Sequence, residues 1–207
     1  MEQINAKRGN WLVIAGVIAA WFALVAQFYL STKNALVPVD ESVIRYFSFF
    51  TVLTNIIVAV CFTVLLFKKE GSSFFTKPAT LTATAVYITV VAIIYNLILR
   101  FTWEPKGLQM VVDELLHAIV PLIFVVYWLM YVSKNTLKWR DTFSWLIYPF
   151  IYLMFILFRG SVSGFYPYPF VDVVKYGYET VFVNCFYVML VFLGLSFLSV
   201  WIGSRAR

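Results

Sequence analysis

Six stretches of this chain, roughly residues 11–30, 46–67, 79–99, 113–133, 143–159 and 180–202, are almost uninterrupted in apolar side chains. Each approaches the ~20 residues that a helix needs to cross the hydrocarbon of a bilayer. In lipid only helices and closed barrels satisfy every backbone polar group. Apolar runs of helix length therefore predict an all-α fold, a polytopic bundle of six transmembrane helices forming a single membrane domain over residues 1–207. Composition agrees, with 62% of residues hydrophobic and 13% charged, against about 45–50% and about 25% in soluble domains. The fifth run is short, and Phe158 and the Gly160 region can extend it. The first is expected to be a retained anchor, because it exceeds the ~7–15 apolar residues of a cleaved signal.

Lys and Arg are enriched in cytoplasmic loops, so the loop charges orient the bundle. Lys7, Arg8, Lys68, Lys69, Lys77, Lys134, Lys138, Arg140, Arg205 and Arg207 fall on one side, with only Glu2, Glu70 and Asp141 among the acids. Six basic and seven acidic residues fall on the other. Both termini are thus expected in the cytoplasm, in a multi-pass protein of the cell membrane. The net charge of +6 then reflects topology and anionic headgroups rather than nucleic acid. Cys61 and Cys185 lie inside apolar runs, where cysteine behaves as a small hydrophobe. One histidine and two scattered cysteines cannot assemble a zinc site or a bis-histidine haem, so no metal or cofactor is expected.

In that orientation the polar residues inside the spans gather at one depth. Thr51 lies six residues beyond Arg45, roughly 9 Å along a helix, with Thr54 and Asn55 on the same face. Asn96 is one turn before Arg100. His117, the only histidine, is one turn below Asp113 and Glu114. Arg159 and Asn184 enter from the same side on the last two helices. Thr51, Thr54, Asn55, Asn96, Arg100, Glu114, His117, Arg159 and Asn184 all map to the outer half of the bilayer. Scattered polar contacts holding a bundle together do not predict that asymmetry, whereas a pocket opening to the outer leaflet does. Two structural readings stand beside this one. Arg100, Glu114 and Arg159 also suit helix ends that snorkel to headgroups, and Thr54, Asn55, Asn96 and Asn184 also suit interhelical hydrogen bonds. Trp103, Tyr166 and Tyr168 fit an interfacial aromatic belt.

Three segments carry a resemblance. They are Arg45-Tyr-Phe-Ser-Phe-Phe-Thr-Val-Leu-Thr-Asn55, Leu116-His-Ala-Ile-Val-Pro121 and the aromatic-proline stretch ending Tyr168-Pro-Phe170. From about residue 10 to 200 the chain resembles the androgen-induced membrane protein family, in particular its prokaryotic six-helix relatives. The eukaryotic members are intramembrane hydrolases of fatty acid esters of hydroxy fatty acids, with a threonine nucleophile and a histidine. The family's threonine falls on Thr51 and its histidine on His117, with Thr54 the weaker candidate nucleophile. Asn55 departs from the apolar residue of the eukaryotic pattern, and with it the shape of the pocket.

The resemblance implies a lipid ester as substrate and partner, attacked by Thr51 with His117 as base. An imidazole suits that proton transfer, and a threonine hydroxyl is a weak nucleophile without one. Asp113 or Glu114 would orient the ring, as the third group does in a triad. Asn55, Asn96 and Arg100 are candidate donors to the oxyanion. The alternative is a non-enzymatic lipid- or carboxylate-binding protein, or a small transporter, gripping a headgroup through Arg100 and Arg159.

Overall fold

The computed structural model describes residues 2–205, with side-chain surroundings from residue 11 onward. The charges of Glu2, Lys7, Arg8 and Arg207 that enter the orientation argument lie outside that set. The regular structure among the described residues is all helical, with no strand. Six helices are long and apolar enough to cross a membrane: Trp11–Lys33, Phe50–Phe67, Pro78–Leu97, Leu108–Tyr131, Asp141–Ser163 and Val173–Arg205. The fold is that of a multi-pass membrane protein.

The chain divides into two compact units, the first ending at Thr136 and the second beginning at Leu137. The first contains α1 (Glu2–Lys33), α2 (Val39–Phe47), α3 (Phe50–Phe67), α4 (Pro78–Leu97), α5 (Leu108–Glu114) and α6 (Val120–Tyr131). Its core is built from Phe62, Leu81, Ile88, Leu116, Val120 and Phe124, all nearly or fully buried. Phe62 packs edge-on against Phe124, with ring centroids 5.0 Å apart.

The expected second helix does not run unbroken from residue 46. α2 ends at Phe47, Phe49 adopts an extended conformation, and α3 restarts at Phe50. The cause is local. The Ser48 hydroxyl donates to the Ile44 carbonyl at 2.7 Å, and the Ser48 and Phe49 N–H groups fold back to Arg45 and Tyr46. Such side-chain and tightened-turn bonds end a helix. The Tyr46 hydroxyl donates to the Leu24 carbonyl at 2.9 Å and Ser42 to the Ser31 carbonyl at 3.0 Å, so α2 is pinned against α1.

The second unit contains α7 (Asp141–Trp145), α8 (Ile147–Ser163) and α9 (Val173–Arg205). Gly164, in the left-handed conformation at φ 69°, stops α8. Gly177, at φ 75°, interrupts α9 near its start. Both positions suit a residue without a Cβ.

Candidate functional site

Thr51 is the second residue of α3. The break at Phe49 therefore places the positive end of the α3 dipole beside its side chain. Thr51 is 8% exposed, while Thr54 and Asn55 are fully buried.

His117 lies in a π-helical turn, Leu115–Ile119, between α5 and α6. Single π turns inside α-helices recur at functional sites. The Val120 N–H bonds the Leu115 carbonyl, five residues back. Residue 121 is proline, which offers no N–H and whose ring crowds the carbonyl four residues earlier, that of His117. Two asparagines from neighbouring helices serve the carbonyls this leaves. Asn55 Nδ2 donates to the Leu116 carbonyl at 3.2 Å and to the Thr51 carbonyl at 2.9 Å. Asn96 Nδ2 donates to the His117 carbonyl at 3.2 Å and to Ala92 at 2.9 Å. A single side-chain nitrogen thus joins the backbone of Thr51 to the residue preceding His117.

The imidazole is held on one edge and one face. Its Nδ1 lies 2.9 Å from the Asp113 carbonyl and 3.3 Å from Asp113 Oδ1. A backbone carbonyl only accepts, so Nδ1 carries the proton and Nε2 is the basic nitrogen. Nε2 has no hydrogen-bond partner among the described residues. Tyr95 stacks on the ring, with centroids 3.8 Å apart and planes 14° from parallel. The Tyr95 hydroxyl donates to the second oxygen of the Asp113 carboxylate, and Asp113 is only 4% exposed. Asp113 thus links tyrosine and histidine through its two oxygens.

Beside this triplet Arg100 and Glu114 form a two-point ion pair, Nη1 to Oε1 at 2.7 Å and Nη2 to Oε2 at 2.8 Å. Arg100 Nε donates to Asn96 Oδ1 at 3.0 Å, and the guanidinium lies 5.5 Å from the Tyr95 ring centroid. The Glu114 hydrogen bond holds the guanidinium above its ordinary proton affinity.

Of the residues singled out in the sequence, Thr51, Asn55, Asn96, Arg100, Asp113, Glu114 and His117 belong to this connected region of the first unit. Arg159 and Asn184 belong to the second unit and are engaged there. Arg159 lies over the Phe165 ring at 5.5 Å, and Asn184 Nδ2 donates to the Phe170 carbonyl at 3.1 Å. Tyr95 was missed, because one tyrosine among 13 near a helix end reads as interfacial belt. The available signal was its place beside Asn96, on the helix already carrying polar groups. Among the described residues no three His, Cys, Asp or Glu side chains converge as a metal site would require.

Comparison with protein-family models, curated proteins and solved structures finds no match.

Proposed function

We propose that this protein is an intramembrane hydrolase of lipid esters, of the class of fatty acid esters of hydroxy fatty acids. In this reading Thr51 is the nucleophile and His117 its base. One observation carries it: the imidazole has Nδ1 committed to Asp113 and Nε2 left as an acceptor, on a helix tied through Asn55 to the Thr51 backbone. That is the arrangement a general base needs, with a third group fixing ring and tautomer. The resemblance to the androgen-induced membrane protein family supports it through the same two residues.

The chemistry runs as acyl transfer. The Thr51 hydroxyl attacks the ester carbonyl and its proton passes to His117 Nε2. The tetrahedral intermediate collapses, and the same proton leaves on the departing alkoxide. Water then attacks the acyl-threonine, again losing a proton to Nε2, which returns it to the Thr51 oxygen as the free acid departs. In the orientation read from the loop charges this cluster lies in the outer half of the bilayer, where an ester carbonyl near the headgroups and water both reach it. The rival carboxylate-binding reading relies on Arg100 and Arg159, and the two terminal nitrogens of Arg100 each already hold a Glu114 oxygen. A ligand carboxylate would have to displace Glu114.

The test is turnover of a fatty acid ester of a hydroxy fatty acid by purified protein, followed by mass spectrometry of the released acid. Thr51→Ala and His117→Ala are each expected to lower kcat by about 10⁴-fold or more, as loss of a nucleophile or base does elsewhere. Thr54→Val should retain turnover. Full activity in either of the first two variants overturns the mechanism.

A further inference from the structure

The π turn at His117 leaves a backbone carbonyl that only a donor from outside its own helix can serve. In an α-helix the Leu116 carbonyl would accept the N–H of Val120; here that N–H goes to Leu115. In the π count it would accept the N–H of residue 121, which is proline and has none. The Leu116 carbonyl therefore has no backbone donor in the register observed. Leu116 is 2% exposed, and a carbonyl left unpaired at that depth is destabilising. Asn55 Nδ2, itself fully buried, fills the place at 3.2 Å. The His117 carbonyl, deprived of its α-helical donor by the same proline, takes Asn96. Asn96 is also bonded by Arg100, whereas Asn55 Oδ1 accepts nothing among the described residues. The orientation of Asn55 is thus set by the two carbonyls it serves.

We propose that Asn55 and Pro121 are a coupled pair that fixes the register of the His117 turn. Asn55 is then a positioning residue for the imidazole, although its hydrogen bonds go only to backbone carbonyls. Pro121 creates the need for a donor from outside the helix, and Asn55 supplies it from α3, the helix that carries Thr51. Without that donor the π turn migrates along the helix to spare the Leu116 carbonyl, and the imidazole leaves its seat against Tyr95 and Asp113. The consequence for turnover rests on the hydrolase reading; the register itself does not.

The experiment uses the single histidine of the chain. Isotope-labelled histidine gives one set of ring signals, and the Tyr95 ring stacked at 3.8 Å shields its carbon-bound protons. In Asn55→Leu the ring-current shift is expected to be lost. In Asn55→Leu with Pro121→Ala it is expected to return towards the wild-type position. The second substitution restores a backbone N–H five residues beyond Leu116, and the buried flanks Leu116 and Val120 hold the residue count between them. Turnover should fall about a hundredfold in the single variant, the scale of an ångström-sized misplacement, and recover in the double. If Asn55→Leu fails to fold and the double variant folds, the coupling is likewise supported. Wild-type ring signals in Asn55→Leu overturn the proposal, and so does a double variant as displaced or as unfolded as the single. Restored ring signals without hydrolysis in any form, wild type included, leave the register pair standing and remove the hydrolase reading.

Discussion

Pro78–Leu97 in the first unit and Asp141–Ser163 in the second have nearly the same hydropathy, yet in their most apolar 18-residue stretches 61% of the former and 11% of the latter is buried inside the protein. The difference lies in side-chain size. The first helix carries Ala79, Thr80, Thr82, Ala83, Thr84, Ala85, Thr89 and Ala92; the second carries Phe143, Trp145, Tyr148, Phe150, Tyr152, Phe155 and Phe158. Between helices in lipid there is little hydrophobic drive, so close packing and hydrogen bonds decide who is inside, and small residues permit both. Trp128 Nε1 reaches Thr82 Oγ1 at 2.9 Å across such a surface. The polar residues that could do chemistry follow the packing. Tyr95 and Asn96 lie in the last turn of the buried helix and join the His117 network, whereas Phe150, Ile151 and Phe158 leave the other helix exposed. Apolar length marks a span, and small side chains mark the span that can carry a site.

The strongest way to break this contrast compares one aspartate from each unit. Asp113 is buried between Tyr95 and His117, and the Asp172 carboxylate accepts the Val174 and Lys175 N–H groups at 3.0 and 3.1 Å. Asp113→Asn is expected to reduce kcat by up to about 10⁴-fold, the scale seen when a histidine loses its orienting carboxylate. Asp172→Asn keeps an acceptor oxygen and should leave kcat unchanged. Equal losses in the two would mean that the first unit does not hold the site by itself. The next test swaps volume instead of charge. Ala85→Leu, at a position 3% exposed, should destabilise by about 1–3 kcal/mol through overpacking. Phe150→Ala, at 61% exposed, should fall within about 0.5 kcal/mol. Thermal unfolding in one detergent reads both.

The same contrast explains what was legible beforehand. Hydropathy runs carry the spans, and the six apolar helices form where those runs lie; Thr51, Asn96 and His117 were expected at one level from the loop charges. These three share the first unit, whereas Arg159 and Asn184, read at the same depth, belong to the second. The break at Ser48–Phe49 could not be read, because it follows from a serine bonding its own helix and a tyrosine pinned to α1, which only the folded chain displays. Nor could the π turn, although Pro121 four residues after His117 was its visible cause. Lys134 counted as a loop charge. In the structure its Nζ donates to the Trp128, Leu129 and Val132 carbonyls at 2.7, 3.1 and 2.8 Å, which makes it the buried cap of α6. Loop-charge counting is blind to such a use, because it reads sign and not geometry.

That buried cap offers the smallest and finest test, of whether the tight packing of the first unit extends to the other end of its helices. Glu70 accepts the Ser133 N–H at 2.9 Å beside Lys134. Burial raises its carboxyl above the usual 4.5, with the Ser133 bond and the Lys134 charge pulling the other way. A folded-state value above the unfolded one means that the native protein holds this proton more tightly. The resulting stabilisation is complete below the unfolded value and is lost as pH rises through the folded one. Glu70→Gln keeps an acceptor for Ser133 and removes the titration. Thermal midpoints measured from about pH 4 to about pH 7 should therefore move in the variant's favour as pH increases. Parallel curves for the two proteins would place Glu70 in water, and would confine the close packing that distinguishes the first unit to the half that carries His117.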